Sequence, residues 1–293
     1  MLKSMKKFLK PIVLSTITLF AISCSSSDDN TPKPEESNTL TVLKEVTITD
    51  YSNIVNSKLK PKSELSEQST ITYEYNESGK VSSFSYKGKQ EIQEGGQDFN
   101  LNYVYTYNND GTLKELIGTS YPENDIEEHF IYEYNDKKQI VKNTDKESDE
   151  TLSYTYDNNN RIIYVTSDRK DSPYKLEYTY DTKNNIVKGN YVSETFKKTN
   201  EYTFDNKLSP FTNMSINNMH MENLLPENLP ETFLGVNNVI TSTDKDFQAL
   251  NTTSVYEYNT SNFPIKVTTH HTLNPKNIHS VITYTYKTIK VKK

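Results

Sequence analysis

One cysteine, Cys24, and no tryptophan occur in 293 residues. A lone cysteine cannot form an internal disulfide, so packing alone must hold whatever folds. After the first 23 residues no apolar run is long enough to cross a bilayer as a helix. Basic residues are outnumbered as well: 33 Lys and Arg face 39 Asp and Glu. Four of the lysines (Lys3, Lys6, Lys7 and Lys10) lie before Cys24 in a stretch without acids, so the remainder carries 33 − 4 − 39 = −10. A net-negative chain with no concentrated basic patch is a poor partner for nucleic acid. Also missing are a phosphate-binding glycine loop, a nucleophile elbow and a zinc-ligand motif. With no catalytic signature, no cofactor motif and no metal motif, the chain is read as a non-enzyme.

The N-terminal lysines are followed by PIVLSTITLFA (residues 11–21) and then AISC, ending at Cys24. Small residues before a lone cysteine, at the end of a short apolar stretch, resemble the lipobox of bacterial lipoproteins. That resemblance implies a signal peptide over residues 1–23 and a lipid attached at Cys24. The alternative is an ordinary secretory signal with an incidental cysteine. Two or more acyl chains anchor durably, at about 0.8 kcal/mol per buried methylene. SSSDDNTPKPEESN (residues 25–38) holds no apolar residue and reads as a flexible tether, so residues 24–39 are assigned to lipidated cysteine plus tether. Its acidic pair resembles the surface-export signals of Bacteroidota lipoproteins. This implies lipid anchoring to the outer membrane at the cell surface, with a periplasm-facing location as the alternative.

What the chain has in abundance is tyrosine, 22 in all. Much of it recurs in one unit: Tyr-x-Tyr-(Asn/Asp), four more residues, then an aliphatic. The copies are YEYNESGKV from Tyr73, YTYNNDGTL from Tyr105, YEYNDKKQI from Tyr132, YTYDNNNRI from Tyr154 and YTYDTKNNI from Tyr178. Degenerate copies begin at Tyr202, Tyr256 and Tyr284, the last without a turn. Self-similarity of this kind marks a repeat architecture.

Tyr-x-Tyr has period two, which puts both rings on one side of a strand. Ile71, Tyr103, Phe130, Leu152, Leu176 and Ile282 extend that face, while Asn200 and Ser254 break it. The other face carries Thr, Glu and Ser, as in an antiparallel sheet buried on one side. The Asn or Asp after the second ring is a turn-capping acceptor. Three residues later stand Gly79, Gly111, Lys138, Asn160, Asn184 and Asn262, mostly types that tolerate positive φ. Each unit is therefore a β-hairpin closing through a left-handed residue, and Lys138 occupies a strained slot. Val81, Leu113, Ile140, Ile162 and Ile186 then open the return strands.

The expected fold is all-β: an antiparallel meander of roughly 14 to 17 strands over residues 40–293, closed or nearly closed into a barrel to remove its edges. Spanning strands need about 9 to 11 residues and an outward apolar band. The alternating runs here are mostly shorter and polar on their second face, which argues against a spanning barrel.

The YTYDNNNRI copy is similar to the tyrosine–aspartate repeats of Rhs and teneurin proteins, which build hollow β shells. Residues 40–293 resemble a Bacteroidota cell-envelope lipoprotein domain of unknown function with a porin-like fold. That likeness rests on the signal, the tether, the hairpin series, and FDNKLSPF followed by a long excursion and NNVI. Neither resemblance supplies a catalytic residue. Together with the location, they lead to a non-catalytic binding or scaffold module, attached to the outer membrane through Cys24, that takes carbohydrate or an envelope peptide or protein. A structural shell without a ligand is the alternative, and a surface glycan hydrolase a third.

Residues 212–240 interrupt the repeat with apolar residues and two prolines, and read as an irregular excursion that plugs one end of the sheet, with a ligand- or partner-contacting lid as the alternative. The Met219–His220–Met221 triplet suits soft metals only weakly without a second cluster. His270, His271 and His279 have no fixed ligand spacing, and His270 and His271 should face opposite sides of a strand. Glu127, Glu128, Asp149 and Glu150 read as solvated loop ends. DNNNR (residues 157–161) lacks the twelfth-position Glu of a calcium loop, and turn chemistry accounts for it.

Overall fold

The computed structural model describes residues 38–55, 58–90, 92, 95–214 and 235–292. Among them are sixteen strands. The first eight are β1 (Asn38–Val55), β2 (Lys58–Tyr75), β3 (Val81–Gln90), β4 (Gln97–Tyr107), β5 (Leu113–Ser120), β6 (Ile126–Tyr134), β7 (Ile140–Asp145) and β8 (Thr151–Tyr156). The second eight are β9 (Ile162–Ser167), β10 (Tyr174–Tyr180), β11 (Ile186–Ser193), β12 (Lys197–Phe204), β13 (Val239–Asp244), β14 (Thr252–Tyr258), β15 (Pro264–His271) and β16 (Asn274–Val291). Every strand pairs antiparallel with its sequence neighbours, and β1 pairs with β16 from Asn38 opposite Val291 to Asp50 opposite Ser280. The sheet closes, within the expected strand range, and leaves no edge. Closure also explains the last repeat: Lys287 follows Tyr286 in place of Asn, and β16 runs on to meet β1 without turning. The first strand begins two residues before the expected boundary, at Asn38.

The turn chemistry holds at each regular hairpin. Gly79, Gly111, Lys138, Asn160, Asn184 and Asn262 have φ of 79°, 83°, 59°, 62°, 70° and 64°. Asp157 shows how the cap works. Its Oδ1 accepts the N–H groups of Asn159 at 2.8 Å and Arg161 at 3.0 Å, while Arg161 Nε donates to Oδ2 at 2.7 Å. Each return strand then carries a β-bulge. Tyr75 lies opposite Val81 but Glu74 opposite Ser83, and the same slip recurs at Leu113, Ile140, Ile162, Ile186, Val239 and Pro264. A bulge sharpens twist and bends the strand, and seven of them help curl a long meander into a barrel.

The two tyrosines of a repeat share a face but do different work. The first rings, including Tyr73, Tyr105, Tyr132, Tyr154 and Tyr284, are buried in one continuous core with Leu43, Val46, Ile71, Phe84, Leu116 and Val165. Six second rings are half-buried, and their hydroxyls hook the preceding strand pair. In the Tyr256 copy the first ring instead hooks the Val239 carbonyl at 3.0 Å, and Tyr258 donates to Asp205 Oδ2. Tyr107 donates to the Val81 carbonyl at 2.6 Å, Tyr134 to Leu113 at 2.7 Å, Tyr156 to Ile140 at 2.9 Å and Tyr180 to Ile162 at 2.7 Å. Tyr75 does the same to Leu43 and Tyr286 to Pro264, both at 2.6 Å. The geometry has a simple cause. The β3–β4 ladder begins at Ser83 opposite Val104, so the Val81 carbonyl lies beyond it and needs another donor. Phe204 has no hydroxyl to offer. Next to Ile186 an amide pair forms: Asn185 Nδ2 donates to Asn237 Oδ1 at 3.1 Å, and Asn237 N–H donates to Asn185 Oδ1 at 3.1 Å.

The inner face is largely apolar, with polar groups gathered towards one end, and the outer face is largely polar. Between β3 and β4 the outward positions are Ser83, Ser85, Lys87, Asn100, Asn102 and Thr106, with Val104 as the apolar exception. A spanning barrel has the reverse arrangement, an apolar band outside and a polar lumen.

Candidate functional site at the mouth of the barrel

The two ends of the barrel differ. One holds the short Asn/Asp turns, the start of β1 and the end of β16. There the segment after β12 folds inward, with Phe211 and Met214 only 5% and 1% exposed and part of the core. Asn213 Nδ2 donates to the Thr41 carbonyl on β1 at 2.7 Å. Of the expected plug, Met214 packs into this end, Val239 and Ile240 belong to β13, and residues 215–234 lie outside the described residues. Met219, His220 and Met221 lie outside the described residues, as does Cys24. The opposite end, here called the mouth, holds the longer connections.

One side of the mouth carries a rail of aromatic rings. Tyr174 on β10 stacks on Tyr191 of β11, centroids 5.2 Å apart and planes 22° apart. Tyr191 meets Phe196 at 6.0 Å, and Phe196 meets Phe247 at 5.9 Å. The tyrosines rest on the core, whereas Phe196 and Phe247 are 43% and 38% exposed. Local hydrogen bonds hold both phenylalanines. Ser193 N–H donates to the Phe196 carbonyl at 2.8 Å, and Phe196 N–H donates to Ser193 Oγ at 3.1 Å. Asp244, buried at the end of β13, accepts the N–H groups of Asp246 at 2.8 Å and Phe247 at 3.0 Å. Leu250 and Leu273, 41% and 60% exposed, extend the apolar rim.

The strands away from the rail bring carboxyl groups into the barrel. Asp50 lies opposite Glu67 in the β1–β2 ladder, and Glu67 accepts from Ser69 Oγ and from the Tyr86 hydroxyl, each at 2.8 Å. Burial, reinforced by Glu67, raises the Asp50 pKa to about 7. Glu128 on β6 is likewise raised to about 7, chiefly by burial. A glycine places its partner. Tyr103 lies opposite Gly118, its ring covers that residue, and its hydroxyl crosses β5 to donate to Glu128 Oε1 at 3.3 Å. A Cβ on Gly118 would fall 2.6 Å from Tyr103 Cε1, so only glycine leaves the path open. Glu150 takes the Ser167 hydroxyl and the Arg169 guanidinium, the latter at 2.9 Å. The expectation of solvated loop ends therefore holds for Glu127 and Asp149, which are exposed, but fails for Glu128 and Glu150. Strand parity, counted from Phe130 back to Glu128, was the available signal.

Such a mouth can stack flat apolar faces on the rail and exchange hydrogen bonds with carboxyl and carboxylate oxygens. Among the described residues no three of His, Cys, Asp and Glu are grouped as a metal would require.

No family model and no curated protein matches the chain. A solved structure of a porin-like protein from Bacteroides uniformis aligns with TM-score 0.54 at 13% identity, over 84% of this chain and 98% of that one. That likeness shows a shared fold. A porin-like protein from Bacteroides vulgatus aligns with TM-score 0.26 at 11% identity, over 84% of this chain and 99% of that one. The Photorhabdus luminescens Tc holotoxin pore aligns with TM-score 0.28 at 13% identity, over 72% of this chain but 12% of that one.

Proposed function

We propose that this protein is a non-catalytic binding module of the cell envelope, held at the outer membrane by a lipid on Cys24, whose barrel mouth takes carbohydrate. The observation that carries the reading is the aromatic rail from Tyr174 to Phe247, which ends in two exposed rings fixed by their own backbone hydrogen bonds. Sugar rings present flat C–H faces that stack on aromatic side chains, and hydroxyls that pair with the carboxyl groups opposite. Chain direction supports it too. β1 starts at the turn end, so the chain enters the barrel at the end opposite the mouth and leaves the mouth clear. The polar outer wall fits a barrel that stands in water beside the bilayer.

A screen of glycans and envelope polysaccharides against the purified protein tests the reading. The expected result is saturable binding that falls about fivefold for each of Phe196→Ala and Phe247→Ala, in line with about 1 kcal/mol per aromatic contact. Binding untouched by both substitutions would sink it. No binding to any saccharide would favour a shell without a small ligand, the reading that the packed first-ring tyrosines support. Membrane fractionation of Cys24→Ala tests the anchor separately: the variant should leave the membrane fraction, and a variant that stays there refutes lipidation at that residue.

A further inference from the structure

Two histidines beside the β15–β16 connection form an arrangement that packing does not explain. His271 closes β15 with 1% of its surface exposed; the Ala249 backbone carbonyl faces its ring, and neither Nδ1 nor Nε2 makes a well-aligned hydrogen bond. A neutral imidazole carries one donor and one acceptor; a carbonyl can serve only the donor, so the other ring nitrogen stands unsatisfied in a buried position. His279 is brought to it by an irregularity in the ladder. Thr269 lies opposite Ser280 but His270 opposite Ile278, which leaves His279 as the extra residue of a bulge. Bulges re-aim side chains. The two rings end with centroids 5.0 Å apart, tilted by 55°.

That separation is informative. With metal–nitrogen bonds of about 2.0–2.1 Å, two imidazoles on one tetrahedral ion have centroids about 5 Å apart. A direct hydrogen bond between the rings would also fit the distance, but His271 makes none. His279 is exposed, which gives an ion a route from solvent to the buried ring.

We propose that His271 and His279 together hold a divalent transition-metal ion of the class that prefers imidazole nitrogen, such as zinc or nickel. No third His, Cys, Asp or Glu joins them among the described residues, so water fills the other coordination positions and the affinity is that of a two-ligand site. The ion ties the end of β15 to the bulge in β16 at the mouth. Sequence spacing carried no hint of the pair, because the bulge and not strand parity puts the two rings side by side.

The test is a titration of the purified protein with zinc or nickel salt, read by calorimetry and by melting temperature. Copper is avoided because Met219, His220 and Met221 could compete for it. The expected result is saturable binding near one ion per chain and a rise in melting temperature that magnesium and calcium do not reproduce. His279→Ala, at an exposed position, should fold normally and lose both effects, and His271→Asn should lose the binding as well. Absence of saturable binding, an equal response to magnesium, or binding retained in His279→Ala would overturn the site.

Discussion

Two tyrosine-to-phenylalanine substitutions in one repeat should differ sharply in their effect on stability. The Tyr107 hydroxyl donates to the Val81 carbonyl at 2.6 Å. Removing it strands a half-buried acceptor, at a cost of about 1–2 kcal/mol. Two residues earlier, the buried Tyr105 hydroxyl has no partner, and burial drives its pKa far up. A hydroxyl desolvated without a hydrogen bond costs about 1–3 kcal/mol, so Tyr105→Phe removes a penalty and should be neutral or stabilising by about 1 kcal/mol. The gap between the variants is then about 2 kcal/mol. In a domain of this size each kcal/mol shifts the melting temperature by about 2–4 °C, so the two variants should melt about 4–8 °C apart. Urea denaturation followed by circular dichroism gives the same comparison as a midpoint. Tyr105→Phe as damaging as Tyr107→Phe would refute the division of labour and show that the first hydroxyl is bonded inside the barrel after all.

Three further outcomes follow from the same structure. Lys138→Gly should raise the melting temperature by about 1–3 °C. It relieves a non-glycine residue at positive φ, set against glycine's extra freedom in the unfolded chain and an exposed Asp110 pair worth little; an unchanged or lower value would count against the turn. Gly118→Ala should push Tyr103 off Glu128, lowering stability by about 1–3 kcal/mol, and a double variant with Tyr103→Ala should recover part of the loss. Because Asp50 and Glu128 are raised to about 7 in the folded state, the fold binds their protons more tightly than the unfolded chain does. Stability should therefore be highest below about pH 4 as far as these groups decide it. It should fall as pH rises towards 7 by up to about 1.4 kcal/mol per pH unit for each, then level off. Asp50→Asn should flatten that slope in urea melts taken from pH 4 to 8, and an unaltered slope would reject the assignment.

Local rules made most of the fold legible. Period two showed which faces meet, the Asn/Asp and left-handed positions located the turns, and Val81, Leu113, Ile140, Ile162 and Ile186 marked the return strands to the residue. What stayed hidden depends on relations across strands. The repeated bulge leaves no mark in one strand's pattern, because it is a mismatch of count between two. The two tyrosines look equivalent in sequence, and only ladder ends distinguish a hook from a buried ring. Gly118 could be noticed but not interpreted until Tyr103 stood opposite it. The mouth was least visible, since Tyr174, Tyr191, Phe196 and Phe247 come from β10, β11 and the connections after β11 and β13, which only the pairing of successive strands sets side by side. Glu128 was misplaced because a neighbouring Glu127 made the pair look like a solvated run, while strand parity sends one inward and the other out.

The account rests on a barrel whose apolar face is inside and whose polar face meets water. The most direct measurement is the behaviour of residues 36–293, one compact unit, purified without any detergent. Light scattering coupled to gel filtration should find a soluble monomer, with a β-type circular dichroism spectrum that added detergent micelles leave unchanged. A chain that aggregates in buffer and acquires its β spectrum only in micelles would contradict that polarity, and with it the reading of the mouth.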